Sequence, residues 1–197
     1  MIKHSLSVRQ GVSNSLMVVD MPYNTYNNPS QALKNCKKVM KLTKCDAVKI
    51  EGGLKLIKII KYLIKNKIPV MGHLGILPQS TRGKFKSKGK SIKERKEIIR
   101  DSKLLEEAGA FSIVLECVER TLAKQITNLI KIPTIGIGSS NNCDGQILVI
   151  DDVLGLTDSK IKFVKKFVDA KKLIAEGAKK FKAQVKSKKY PTKKYSY

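Results

Sequence analysis

Short apolar runs alternate with longer stretches of helical spacing along this chain, and that alternation limits the fold more than any other feature. The runs at 16–20, 47–51, 68–72, 112–116, 134–137 and 147–150 are almost continuously apolar. Strands buried on both faces read this way, as in a parallel sheet covered by helices. Helices are expected between and after them at 30–42, 54–65, 91–108, 120–130, 161–170 and 172–186. Local signals agree: "NPSQAL" offers a turn and a cap, Gly109 closes "EEAGA", and "KNKIPV" and "IKIPT" enter strands through proline. The fold class is therefore α/β, with about six βα units. A closed (β/α)8 barrel needs eight units and typically about 250 residues. Periodicity alone leaves two architectures: an open sheet, or a barrel whose first two units are missing. At 197 residues one domain is expected. We place it at residues 1–180, with a basic tail over 181–197.

Carboxylates punctuate the runs. "SLMVVDMPY" ends its strand on Asp20, "DAVKIEGG" on Glu51 and "SIVLECV" on Glu116, while "PVMGHLG" reaches His73 between glycines. The chain has only 16 acidic residues, so three at strand ends mark the edge where α/β enzymes place their chemistry. Asp20 alone could cap a turn, and His73 alone could be a satisfied core residue. Glu51 before two glycines has a weaker structural role, and those glycines would let a ligand approach the backbone. A carboxylate behind "IVL" suits a general base, because burial raises its proton affinity. Hard oxygen donors without a neighbouring cysteine or second histidine favour magnesium over zinc.

The net charge of +24 suggests a nucleic-acid binder. Against that, the lysines are spread over helix-like segments at positions a solvated face would take, aromatics are 6%, and no RNA-recognition, zinc-finger or basic-zipper signature accompanies them. Compositional bias accounts for the charge, and no specific nucleic acid is expected as a partner. No run approaches a membrane span and "MIKHSLSVRQ" lacks a signal-peptide core, so a cytoplasmic protein without membrane attachment is expected. The four cysteines have no C-x-x-C spacing, which favours reduced thiols.

Six blocks, "VVDMPY", "VKIEGG", "GHLGILPQS", "VLECV", "IPTIGIG" and "CDGQILVIDDVLG", together resemble the ketopantoate (3-methyl-2-oxobutanoate) hydroxymethyltransferase family. The resemblance implies a (β/α)8 TIM barrel, of which this chain would hold about six units and lack the first two. It implies transfer of a hydroxymethyl group from 5,10-methylenetetrahydrofolate to 3-methyl-2-oxobutanoate, giving ketopantoate in pantothenate synthesis. It also implies Mg2+ as cofactor and a homo-oligomer, a homodecamer. By motif, Asp20 would ligate the metal and touch the keto acid, with Glu51 as a second metal-site group. Lys49 would hold the substrate carboxylate, His73 would line the pocket, and Glu116 would be the proton acceptor.

The chain also departs from the family pattern. A Gly-Asp-Ser block that supplies a further metal-binding Asp has no counterpart here, and Asp46 and Asp144 are the candidates to replace it. Lys88 stands where the family has a Gln, Ser140 where a glycine is usual, and Glu119 in place of a Pro. Two other functions compete: a non-catalytic remnant of the enzyme, and the basic nucleic-acid binder.

Overall fold

A computed structural model describes residues 1–81 and 86–197, so residues 82–85 of the basic stretch "RGKFKSKGK" lie outside it. The chain divides into two compact units, Met1–Ile147 and Leu148–Tyr197.

The first unit is a parallel sheet with helices between its strands. It begins with helix α1 (Ile2–Gly11). Strands follow at β1 (Val18–Asp20), β2 (Ala47–Glu51), β3 (Val70–Gly75), β4 (Ser112–Glu116), β5 (Thr134–Ile137) and β6 (Gly145–Gln146). Helices α2 (Pro29–Thr43), α3 (Ile57–Lys65), α4 (Ile92–Glu107) and α5 (Arg120–Leu129) connect the first five strands. The strands are all parallel and lie side by side in chain order, β1 to β6. That order is the one strands take in a (β/α) barrel, and six such strands lie among the described residues. The sheet is open, and β1 and β6 are its edges.

The helices form where the sequence allows. Asn28 caps α2 by accepting from the Gln31 N–H at 2.9 Å, and Pro29 holds the first turn. Ala32, Cys36, Val39 and Thr43 then face inward at helical spacing. Ser91 caps α4 in the same way through the Glu94 N–H. Val48, Ile50, Ile113 and Leu115 are completely buried beneath the helices. A Cβ on Gly72 would lie 2.8 Å from Leu105 of α4, so this glycine sets how closely helix and sheet approach.

Four expectations need correction. The first strand starts at Val18 and not at 16, where Leu16 is exposed. The third runs on to Gly75, which makes His73 an interior strand residue. No strand forms over 147–150. The ladder ends with β6 and one further bond from the Ile147 N–H to the Gly136 carbonyl, after which the chain turns into the short helix α6 (Ile150–Val153). No helix spans 161–170, because the Phe167 and Val168 N–H groups turn back to the Val153 carbonyl. Helix α1 is an addition: it has no side-chain cap and few apolar residues, so nothing in its sequence announces it.

The second unit holds α6 and α7 (Ala170–Lys186), the latter capped by Asp169 and passing through position 180. Phe181 meets Tyr190 edge-on there, with ring centroids 5.5 Å apart. Among the described residues no helix is long and apolar enough to cross a membrane.

Candidate active site

Strand register decides which side chains meet. Asp20 lies opposite Lys49, Glu51 opposite His73, and Gly75 opposite Glu116. Residues two apart on a strand share a face, so Asp20, Lys49, Glu51, His73 and Glu116 all project from one side of the sheet. It is the side away from the helices, since Gly72 and Ile50, of opposite parity, face them. Lys49 sits at the middle of β2 and the other four toward the C-terminal ends of their strands, where the parallel arrangement gathers them at one end.

Lys49 is the hub. Its Nζ is 2.9 Å from Asp20 Oδ2, 3.7 Å from Glu51 Oε1 and 2.8 Å from His73 Nδ1. His73 is 2% exposed, and its Nε2 lies 3.4 Å from Glu116 Oε2, close to but not aligned as a hydrogen bond. Glu51 is buried and its other oxygen accepts from the Gln79 N–H at 3.1 Å. Three atoms are buried here without a hydrogen-bond partner: Asp20 Oδ1, His73 Nε2 and Gln79 Oε1. Unpartnered buried polar atoms mark a place where a ligand can complete the set.

The backbone beneath Glu116 is tightly built. Gly75 has φ +98°, and a Cβ there would lie 2.1 Å from the Glu116 carbonyl oxygen. Cys117 follows at φ 51°, its thiol pushed up to about 11 by burial and then by the Glu116 charge. Burial, with the Glu51 charge next in weight, also raises the Tyr26 hydroxyl above its ordinary value. Tyr26 and Gln79 escaped the sequence analysis. The only sequence signal for Gln79 is its place in "LPQS", directly after a proline.

The glycines after Glu51 border a cavity and also permit close packing. A Cβ on Gly53 would collide with the Asp101 carboxylate at 1.9 Å, so this glycine also lets α4 pack against the strand end. A cavity of about 730 Å³ opens beside Glu51 and Gln79, with Tyr23, Tyr26, Leu56 and Leu77 in its wall.

The site suits a hard divalent cation in part. Asp20 offers an unpartnered, buried carboxylate oxygen, while both Glu51 oxygens already have contacts. Among the described residues no three His, Cys, Asp or Glu side chains form a metal-holding group. Neither proposed replacement can supply a third. Asp46 precedes β2 and accepts from the Met17 N–H, and Asp144 precedes β6 and accepts from the Thr134 N–H. Both are at the N-terminal ends of the strands, opposite the site.

The departures from the family pattern have local roles. Glu119 caps α5 by accepting from the Thr121 and Leu122 N–H groups and reaches Arg95 of α4 at 2.9 Å. Lys88 pairs its backbone with Cys117 and Glu119, and its ammonium lies 3.6 Å from Glu94. Ser140 is buried, with its hydroxyl oxygen accepting from the Asn142 N–H.

Comparison with known proteins gives a consistent result. The family model for ketopantoate hydroxymethyltransferase matches residues 1–193. A 3-methyl-2-oxobutanoate hydroxymethyltransferase of Pelagibacter ubique (strain HTCC1062) is 64% identical over 197 residues, covering all of this chain and 76% of the relative. Enzymes of the same name from Clostridium botulinum (strain Alaska E43 / Type E3) and Aliarcobacter butzleri (strain RM4018) are 46% and 43% identical. They too are matched over all of this chain, which covers 73% and 74% of their respective lengths.

Proposed function

The chain belongs to the ketopantoate hydroxymethyltransferase family, and from that premise we propose that its strand-end cluster transfers a hydroxymethyl group to 3-methyl-2-oxobutanoate. The observation that carries this reading is the convergence of Lys49, Asp20, Glu51, His73 and Glu116 on one face at one end of the sheet.

The Lys49 ammonium binds the keto acid's carboxylate, a point charge already oriented by Asp20 and Glu51. Glu116 then takes the proton from C3. The C–H electron pair moves into the C2–C3 bond as the C2=O π pair moves onto the oxygen, and the proton rests on a Glu116 oxygen. Water hydrolyses 5,10-methylenetetrahydrofolate to tetrahydrofolate and formaldehyde, breaking both C–N bonds while the two nitrogens take the water's protons. The enolate C3 then adds to the formaldehyde carbon, and the oxygen that receives the carbonyl π pair takes up the proton held on Glu116. The cavity beside Glu51 falls within the size range of small-molecule and cofactor sites. Asp20, through its free oxygen, and Glu51 are the carboxylates that would hold magnesium. When bound, the metal supplies Lewis acidity at the keto acid's oxygens.

Calorimetric titration of 3-methyl-2-oxobutanoate tests the binding half of this assignment. Lys49→Ala should weaken binding by roughly 10- to 100-fold, the worth of a hydrogen bond to a charged group. Equal affinity in the variant would remove Lys49 from the substrate site.

A further inference from the structure

His73 belongs to the site by position, but the pocket-lining role leaves its two ring nitrogens unused. Each is within 3.5 Å of a charged group: Nδ1 is 2.8 Å from Lys49 Nζ, and Nε2 is 3.4 Å from Glu116 Oε2. An ammonium has three donors and no acceptor, so the contact at Nδ1 requires a lone pair on the ring. A proton on Nδ1 would point at a cation. Glu51 Oε1 offers that proton no alternative, because it is 3.9 Å from Nδ1 and itself faces Lys49. The tautomer that fits both contacts leaves Nδ1 bare and carries its proton on Nε2. The bond made by one ring nitrogen fixes the state of the other.

We infer that His73 is a positioning residue for Glu116, locked by Lys49 in the Nε2–H tautomer so that it presents an N–H donor to the carboxylate. The role given to Glu116 rests on the function proposed above, whereas the tautomer rests only on the geometry. Nε2 is buried and has no full hydrogen bond, and Glu116 Oε2 is the oxygen facing it. A small closing movement makes that bond and leaves Oε1 of Glu116 to receive the proton from C3. The histidine proton stays on Nε2 throughout, so His73 orients the base without exchanging charge with it. Because Lys49 also binds the substrate carboxylate, one ammonium couples the grip on the keto acid to the aim of the base.

The chain has two histidines, exposed His4 and buried His73, so nitrogen-15 NMR of histidine-labelled protein at neutral pH reads the tautomer directly. Wild type should show His73 with a protonated, pyrrole-type Nε2 and a bare, pyridine-type Nδ1. Lys49→Met should let a measurable Nδ1–H population appear, and Lys49→Arg, which keeps a donor, should suppress it. Glu116→Gln should shift the Nε2–H proton resonance, because its acceptor changes from charged to neutral. If Lys49→Met does not fold, the wild-type spectrum still decides the tautomer. An Nδ1–H or doubly protonated His73 in wild type overturns the inference, as does a Lys49→Met spectrum with unchanged tautomer populations. An unmoved Nε2–H in Glu116→Gln removes the link to the base. A correct tautomer in a chain with no affinity for the keto acid would instead count against the proposed function.

Discussion

Two side chains separate binding from chemistry at this site, Lys49 holding the substrate and Glu116 moving its proton. Glu116→Gln keeps the shape of the side chain and removes its basicity. With the site completed by the Gly-Asp-Ser segment of a longer relative, keto-acid binding should be nearly unchanged while proton removal from C3 falls by about 10²–10⁴-fold, the usual loss when a general base is removed. Paired binding and solvent-exchange measurements read the two effects separately. Gly75 makes a structural prediction of the same size. Its φ of +98° and the 2.1 Å approach to the Glu116 carbonyl leave no room for a side chain. Gly75→Ala should lower stability in urea by about 2 kcal/mol or more, combining left-handed strain with a clash that only backbone movement relieves. A midpoint unchanged from wild type would mean that β3 and β4 are not packed as described.

Among the elements, the junction between α4 and α5 turns on Glu119. Hydrogen bonds from the Thr121 hydroxyl and then the Thr121 N–H, with Arg95 and the Leu122 N–H adding to them, lower its carboxyl to about 2 from an ordinary 4.5. A depressed carboxyl stabilises the fold above its unfolded value, and that stability is lost as pH falls from about 4.5 through about 2. Glu119→Gln should therefore cost about 1 kcal/mol at pH 7, a modest figure because the group is near solvent and acts mainly as a helix cap. The difference from wild type should shrink as the pH approaches 2, and a gap independent of pH would show that the charge has no part in it. Glu119 also shows where sequence reasoning stopped. In the sequence it stands only as a replacement of a proline, and the folded structure pairs it with Arg95 of α4. The buried strands ending in Glu51 and Glu116 were legible because apolar runs and a terminal charge are local features. Residues 147–150 were misassigned because an apolar run of four does not distinguish a strand from the start of a helix. The contact between Lys49 and His73 could not be foreseen, since it depends on the register of β2 against β3.

At the scale of the whole molecule, the net charge of +24 spreads over solvated helix faces. The lysines of α2 and α3, including Lys34, Lys37, Lys38, Lys58, Lys61 and Lys65, are exposed and face solvent. Binding to duplex DNA should accordingly be non-specific and fall by ~10³-fold or more between about 50 and 200 mM salt, as counterion release dictates. Sequence-selective binding that survives physiological salt would contradict the assignment of the charge to composition. The edge of the sheet bears on the site itself: β1, which carries Asp20, has no strand on its outer side among the described residues. The chain spans about three quarters of its relatives' length. We predict that the 197 residues alone enolise the keto acid poorly, and that a βαβα segment carrying Gly-Asp-Ser from a complete relative restores activity by pairing along β1. The most direct measurement is solvent deuterium exchange at C3 of 3-methyl-2-oxobutanoate with magnesium present. It should be followed by proton NMR for the chain alone, for the chain with that segment, and for the same mixture made with Glu116→Gln. The expected result is weak exchange alone, strong exchange with the segment, and collapse in the variant; undiminished exchange in Glu116→Gln would contradict the account.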